Sequence, residues 1–276
     1  MKNLVGIVAG DPESINSEII AKAWGKKKLF KNLNIFVIGN YNLIKKQFKN
    51  LNIKLKLNKI SDLKNKNFKK RLLVYDVPLS FNDPFNLKKN IKKDYVIKSL
   101  NIAINFSKYK KILGFVNCPI NKNEIFENNS GVTEFLAKKS KVSGKEAMLI
   151  YNKKLSVCPI TTHIKLKKVS SNLSKKKIVD KVITINRFYK EKLKIKAKIG
   201  VMGLNPHNNE LRKDSEEKKI ILPAIKILKK KGIKAEGPIS SDAAFFQSKK
   251  KNIMFWSECI MIRFYRLLKH YIILMR

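Results

Sequence analysis

Three histidines occur in the 276-residue chain, and two of them, His163 and His207, stand just beyond apolar runs that read as strands, 155–162 and 199–204. Neutral imidazole is the commonest metal ligand, and in open α/β folds ligands collect at the carboxyl ends of strands. The two residues are too far apart in sequence for a local HxxxH motif. Only the tertiary fold can bring both rings to one ion, and a divalent metal usually takes a third protein ligand. Spacing alone leaves two readings open: ligands of one metal, or loop histidines with ordinary hydrogen bonds. Two other strand ends carry polar groups. Ala9-Gly10-Asp11-Pro12 leads from a first strand into a first helix, where backbone N–H groups can meet an anion or a cofactor. Gly10 stands alone, so this is no GxGxxG fingerprint, and a plain turn is the simpler reading. Asn117-Cys118-Pro119-Ile120-Asn121-Lys122 places an ammonium, that of Lys122, where it can meet a phosphate or carboxylate. Cys118 and Cys158 lie inside apolar runs and read as core residues, not nucleophiles.

These groups need a frame. Strand-like runs at 4–8, 35–38, 72–77, 115–120, 155–160 and 199–204 alternate with helix-period segments, the pattern of an α/β protein with a largely parallel sheet. Ser17 is expected to cap a helix that buries Ile19, Ile20, Ala23 and Trp24. Val96, Ile97, Leu100, Ala103 and Ile104 mark one apolar helix face, and Ile178, Val179, Val182, Ile183 and Tyr189 another. A third helix is expected from about Ser215 to Gly232, where glycine suits a left-handed C-terminal position. The Lys- and Asn-rich stretch 46–70 has weak periodicity and reads as irregular surface strand and loop.

Composition narrows the function classes. Lys and Arg total 61 against 20 Asp and Glu, a net charge of +41, which would ordinarily point to nucleic acid or an anionic membrane. The excess is 55 Lys against 6 Arg, alongside abundant Ile and Asn; an A+T-rich gene produces that bias without selection for a polyanion. The charge is also spread along the chain, with no basic-aromatic stripe or zinc knuckle. Solvated Lys faces are the expected reading and a polyanion-binding surface the rival. Three separated cysteines make no disulfide framework. No membrane span or signal-peptide core is evident, so a cytoplasmic protein is expected.

In order, the stretches GDPESINSEI (10–19), NCPINK (117–122), GVTEF (131–135), TTHIKLKKV (161–169), GLNPHNNE (203–210), SEE (215–217), PAI (223–225) and GPISSDAAF (237–245) resemble the bacterial 4-hydroxythreonine-4-phosphate dehydrogenase family of pyridoxal-phosphate biosynthesis. The resemblance is collinear over residues 4–246. It implies an isopropylmalate-dehydrogenase-like α/β fold of two α/β/α subdomains, incomplete at the C-terminus, and a homodimer with its active site between subunits. It further implies NAD-dependent oxidation of the C3 hydroxyl of 4-phosphooxy-L-threonine, followed by decarboxylation to 3-amino-2-oxopropyl phosphate. In that family three histidines hold a divalent metal (Zn, Mg or Co); two of them match His163 and His207. Thr133 matches a substrate-binding residue, Lys122 is a further candidate substrate contact, and Asp242 is expected beside the histidines as a catalytic orienter or substrate contact.

Some residues depart from the pattern. The family's GDPAGIGPE is GDPESINSE here, and its GHTE is Gly131-Val132-Thr133-Glu134; the Val132 side chain has no hydrogen-bonding group. The family's YHDQ motif, with the third metal histidine, is absent after Phe246, and His270 matches nothing in it. An inactive or truncated member with a partial metal site is therefore the alternative reading. The expected division is 1–130 for the first subdomain, its C-terminal part missing, 131–248 for the second, and 249–276 for a non-native tail. Lys249-Lys250-Lys251-Asn252 implies a run of A bases, prone to a single-base slip. Taking the third base of each codon with the next two from Ile253 onward forces Val, Leu and Asp. The alternate frame can then read Val-Leu-Val-Gly-Met-Tyr-His-Asp-Gln, the missing motif. Residues 252–276 are accordingly expected to pack poorly, with Trp256 and Phe264 lacking a core environment.

Overall fold

The central strands are largely apolar because both sheet faces are covered. In β2 (Asn34–Gly39) successive side chains point to opposite faces: Ile35 and Val37 enter one cluster with Trp24 and Phe48, while Phe36 and Ile38 enter another with Tyr95, Leu100 and Phe106. A computed structural model describes residues 3–64, 66–126, 131–151, 156–162, 164–205, 213–240, 244 and 255–260; of the last segment only the Ser257 side chain is described. The chain forms two units, Met1–Lys139 and Ser140–Arg276.

The first unit holds β1 (Leu4–Val8), α1 (Asn16–Gly25), β2, α2 (Tyr41–Asn50), β3 (Leu57–Ile60), β4 (Leu72–Asp76), α3 (Lys89–Lys108), β5 (Gly114–Asn117), α4 (Lys122–Ile125) and α5 (Val132–Lys139). Its strands are all parallel, in the order β3-β4-β2-β1-β5. The chain builds outward from β1 through β2 and returns to the other side of β1 for β5. The carboxyl ends of β1 and β5 thus form the topological switch point of this sheet.

The second unit holds β6 (Ser156–Thr161), α6 (Val169–Asn172), α7 (Lys175–Phe188), β7 (Ile199–Met202), α8 (Leu222–Lys230), β8 (Ala235–Ile239) and β9 (Phe255–Ile260). Its sheet is also parallel, in the order β6-β9-β7-β8. Ile178, Val182 and Ile185 of α7 and Ile225 and Leu228 of α8 bury against Cys158, Ile160, Ile199 and Val201. Gly232 follows α8 with φ +73°, the left-handed stop expected from its position. Among the described residues, no helix is long and apolar enough to cross a membrane.

Several expectations need correction. Residues 46–70 are not wholly irregular: α2 runs to Asn50, and β3 adds an edge strand whose Asn58 and Lys59 are exposed. Ser17 is not a cap, because α1 begins a residue earlier with Ile15 at the cap position and no side-chain cap bond. The helix buries Asn16, Ser17, Ile20 and Trp24, leaving Ile19 exposed. The unit boundary falls after Lys139 rather than Ser130, since Val132 and Phe135 of α5 pack on the first unit's core and the Phe135 ring lies 5.6 Å from that of Phe126. Residues 255–260, within the stretch expected as a non-native tail, form β9 in the interior of the sheet. Main-chain ladder bonds accept any strand-compatible sequence. The Trp256 side chain and all of Phe264 lie outside the described residues.

Strand β9 carries one misfit. Ser257 pairs in register with Cys158 and Val201, is fully buried, and its hydroxyl has no hydrogen-bond partner among the described residues. An unpaired buried hydroxyl costs free energy that an apolar group of similar size does not. Ser257→Ala is expected to raise unfolding free energy by about 1 kcal/mol, measured by urea denaturation; a loss of stability would show that the hydroxyl is satisfied.

Candidate functional site

In the second unit the ends of β6 and β7 lie on either side of β9, two strand spacings or about 10 Å apart. Thr161, at the end of β6, pairs in register with Ile260 of β9. His163 comes two residues after Thr161, and His207 two residues after Asn205 on the exit from β7. Both imidazoles, and Asp242, lie outside the described residues, and among the described residues no group of three or more His, Cys, Asp or Glu could hold a metal. What is described is how the segment leading to His207 is held. Gly203 N–H donates to Ile239 O at 2.9 Å. The N–H groups of Leu204 and Asn205 both donate to Glu217 Oε1 at 2.8 Å, and Pro206 has none to place. The Asn205 amide bridges Glu217 Oε2 at 2.9 Å and Glu216 Oε2 at 3.0 Å. Glu217 is buried, and Glu216 also accepts the Ser170 hydroxyl. That bond, with the Asn205 amide, holds the Glu216 carboxyl below its ordinary pKa against the opposing effect of burial.

In the first unit the switch point is filled by the protein's own polar groups. Gly10 turns the chain at φ +75°, where a Cβ would lie 2.7 Å from Asn16 Nδ2 and Pro119 O. Asn16 Nδ2 donates to Asp11 O at 3.0 Å and Pro119 O at 2.8 Å, tying the β1 loop to the β5 loop. Asn16 stands where the motif GDPAGIGPE has a glycine, so this departure adds a cross-link within the crevice. Glu13, at that motif's alanine, accepts from Lys92 Nζ at 2.7 Å and from Leu87 N at 2.9 Å; Lys92 also pairs with Glu124. Lys122 and Thr133 are exposed. They belong to neighbouring segments, because the Lys122 stem lies 3.6 Å from the position a Gly131 Cβ would take. Glu134 accepts the Gly131 N–H at 2.9 Å, the reach-back half of a capping box at the start of α5. Cys118 and Cys158 are buried core residues, and burial pushes their thiols up to about 11 and about 12, which removes them as nucleophiles at neutral pH.

Residue type gave no pointer to Glu217 or Lys92. The available signals were the position of the SEE stretch at a helix start and the substitution of an acidic residue at Glu13, which called for a cation nearby.

The sequence profile of the family described as Pyridoxal phosphate biosynthetic protein PdxA matches residues 31–257. The chain is 37% identical over 258 residues to the 4-hydroxythreonine-4-phosphate dehydrogenase of Sulfurihydrogenibium sp. (strain YO3AOP1), covering 90% of this chain and 78% of that one. It is 34% identical to the Aquifex aeolicus (strain VF5) protein of the same name, over 92% and 79% of the two chains. The crystal structure of 4-hydroxythreonine-4-phosphate dehydrogenase from Klebsiella pneumoniae superposes with a TM-score of 0.87 at 26% identity, over 98% of this chain and 85% of that one. The two parallel sheets and the order of their motif-bearing strand ends are thus those of a dehydrogenase fold, and the chain belongs to the pyridoxal phosphate biosynthetic protein PdxA family.

Proposed function

We propose that the chain's fold serves the NAD- and divalent-metal-dependent oxidation of 4-phosphooxy-L-threonine, with decarboxylation to 3-amino-2-oxopropyl phosphate, in a cytoplasmic homodimer making pyridoxine 5'-phosphate. The observation that carries this reading is that the strands leading to His163 and His207 are neighbours but one in one parallel sheet, with their carboxyl ends on the same side. That placement fits a metal shared by the two imidazoles. His163 and His207 would hold Zn, Mg or Co, and Asp242 would orient a ligand or contact substrate. Lys122 would offer its ammonium to an anionic group of the substrate and Thr133 its hydroxyl.

Once bound, the metal would supply Lewis acidity toward the C3 hydroxyl and NAD would be the hydride acceptor. In the oxidation the C3–H electron pair leaves as hydride and the hydroxyl proton is released. In the decarboxylation the C1–C2 bond breaks, its electron pair moves toward the new C3 carbonyl, and a proton is added at C2. The chain's own contribution is to hold the reacting carbons in register with these partners and to neutralise the substrate's anionic ends. Val132, which cannot hydrogen-bond, and the presence of only two matched metal histidines favour a second reading: a 276-residue product that is nearly inactive, whose native frame after Lys251 supplies the third ligand.

Isothermal titration of the full chain with Zn²⁺ tests the metal site. His163→Ala and His207→Ala are each expected to weaken binding at least about 10-fold, the lower end of what even an outer-shell change costs. Equal affinity in wild type and both variants, or no binding by wild type, would remove the assignment.

A further inference from the structure

The first unit has a second concavity at the end of its sheet opposite the strand carboxyl ends. Ile35 is the second residue of β2, and Trp24 is the last but one of α1. Trp24 thus stands about 12 Å along the helix from Asn16 and the crevice it cross-links. Here the chain leaves α1 through a 3₁₀ turn, Lys27–Phe30. It borders a cavity of about 290 Å³ whose apolar walls are Trp24, Phe30, Leu33, Ile35 and Phe68. Trp24 and Ile35 are buried, Phe30 and Phe68 half-buried, and Leu33 is 40% exposed, which puts it at the mouth. Phe68 belongs to the cluster on one sheet face, its ring edge-on to that of Phe36 at 6.2 Å, while Trp24, Phe30 and Ile35 belong to the cluster on the other. The cavity therefore lies where the two layers part at the amino end of the sheet.

Four ammonium groups surround these walls, those of Lys27, Lys28, Lys31 and Lys69, and no acidic residue does. None of the four has a carboxylate partner among the described residues. Lys27 is fixed in place: its Nζ lies 4.4 Å from the centre of the Trp24 ring and donates to Lys69 O at 2.8 Å. A concave surface with low-dielectric walls and one sign of charge concentrates counter-ions. On a chain with 55 lysines charge alone selects nothing, but the aromatic side chains beside it do. We propose that this cavity binds a single-ring aromatic phosphate monoester, its ring against Phe30, Phe68 and Leu33 and its phosphate among Lys28, Lys31 and Lys69. The volume is at the low end for small-molecule sites, roughly 300–1,000 Å³, enough for one ring with one anionic group and too little for a dinucleotide. A phosphate monoester carries roughly −1.5 to −2 charge at pH 7, so it neutralises more of the ammonium cluster than a carboxylate does. The metal reading is independent of this site, because none of its residues lines the cavity.

Titration of the full chain with phenyl phosphate, followed by calorimetry and by tryptophan fluorescence, tests the site. Phenyl phosphate is expected to bind at least about 10-fold more tightly than inorganic phosphate, as burial of the ring requires. Leu33→Glu puts a carboxylate at the mouth and is expected to weaken phenyl phosphate at least about 10-fold. Leu33→Gln, of similar size and uncharged, should stay within about threefold of wild type. Lys28→Gln with Lys31→Gln should weaken binding about 10-fold. Lys45→Gln with Lys56→Gln, exposed lysines at a different cavity beside β3, should leave it unchanged. Equal affinity for phenyl phosphate and inorganic phosphate, or equal losses from the two lysine pairs, would reveal only the general pull of a cationic surface and overturn the site. Absence of phenyl phosphate binding by the wild-type chain would overturn it as well.

Discussion

Inserting one base into the codon run for Lys249–Lys251 is expected to give a protein that forms NADH from 4-phosphooxy-L-threonine on the order of 100-fold faster than the 276-residue chain, or more. In the shifted frame Met254/Phe255 force Val, Phe255/Trp256 force Leu and Met261/Ile262 force Asp, and the intervening codons permit Val-Leu-Val-Gly-Met-Tyr-His-Asp-Gln. The strand pairing supports this expectation independently of the codons. The permitted histidine overlaps the codons of Ile260 and Met261, at the carboxyl end of β9. That end is level with Thr161 and lies between the strands that lead to His163 and His207. A third imidazole there would complete the three protein ligands a catalytic metal site ordinarily has. The main-chain ladder of β9 would survive the change of frame, and Ser257, with its unpaired hydroxyl, overlaps codons that can read Val and Gly. Rates of NADH formation by the two proteins, with the nucleotide sequence over codons 246–276, check the expectation. Equal rates, or a sequence without His-Asp-Gln codons in that frame, would sink it.

The frame can be tested this sharply because much of the fold was legible. β2, β6 and β7 are buried on both faces over almost their whole length and β1 and β4 over most of theirs, so Leu4–Val8 and Ile199–Met202 announce themselves by their apolar character. What escaped was structure stabilised by position rather than composition. β3 is an edge strand reading Leu-Asn-Lys-Ile, and β8 runs through Glu236, Gly237 and Pro238, residues poor in strand propensity. The histidines stood out because the chain has three. Lys92 could not, as one lysine among 55, since burial of a charge depends on partners brought together from distant segments. The same holds for Glu217, whose role is visible only once the exit from β7 folds back against α8's leading turn.

Lys92 is where that hidden charge carries the largest stability effect. Its side chain is 4% exposed and its ammonium is shared between Glu13 and Glu124, so it joins the β1–α1 loop, α3 and α4. Removing one partner from a buried ion pair costs about 3–5 kcal/mol. Glu13 and Glu124 are themselves 30% and 33% exposed, and water will screen part of the loss. Lys92→Met is therefore expected to destabilise the first unit by about 2–3 kcal/mol, lowering its melting midpoint by roughly 5–10 °C. Neutralising the carboxylates as well, in Lys92→Met with Glu13→Gln and Glu124→Gln, should recover most of that. The effect has a pH window. Burial works to raise the Glu13 pKa, but the bonds from Lys92 and the Leu87 N–H outweigh it and leave the carboxyl below its ordinary value. Its contribution is present above the ordinary carboxylate range and is lost as pH falls through the lowered value. Burial opposes the charge on Lys92 too, yet its two carboxylate partners raise its pKa. That contribution holds below the ordinary lysine value and is lost only as pH rises through the raised one. The difference between wild type and Lys92→Met should thus be widest near neutrality and shrink below about pH 4. Urea denaturation across that range measures it; a variant within about 0.5 kcal/mol of wild type at pH 7 would show that the two carboxylates find enough water to stand alone.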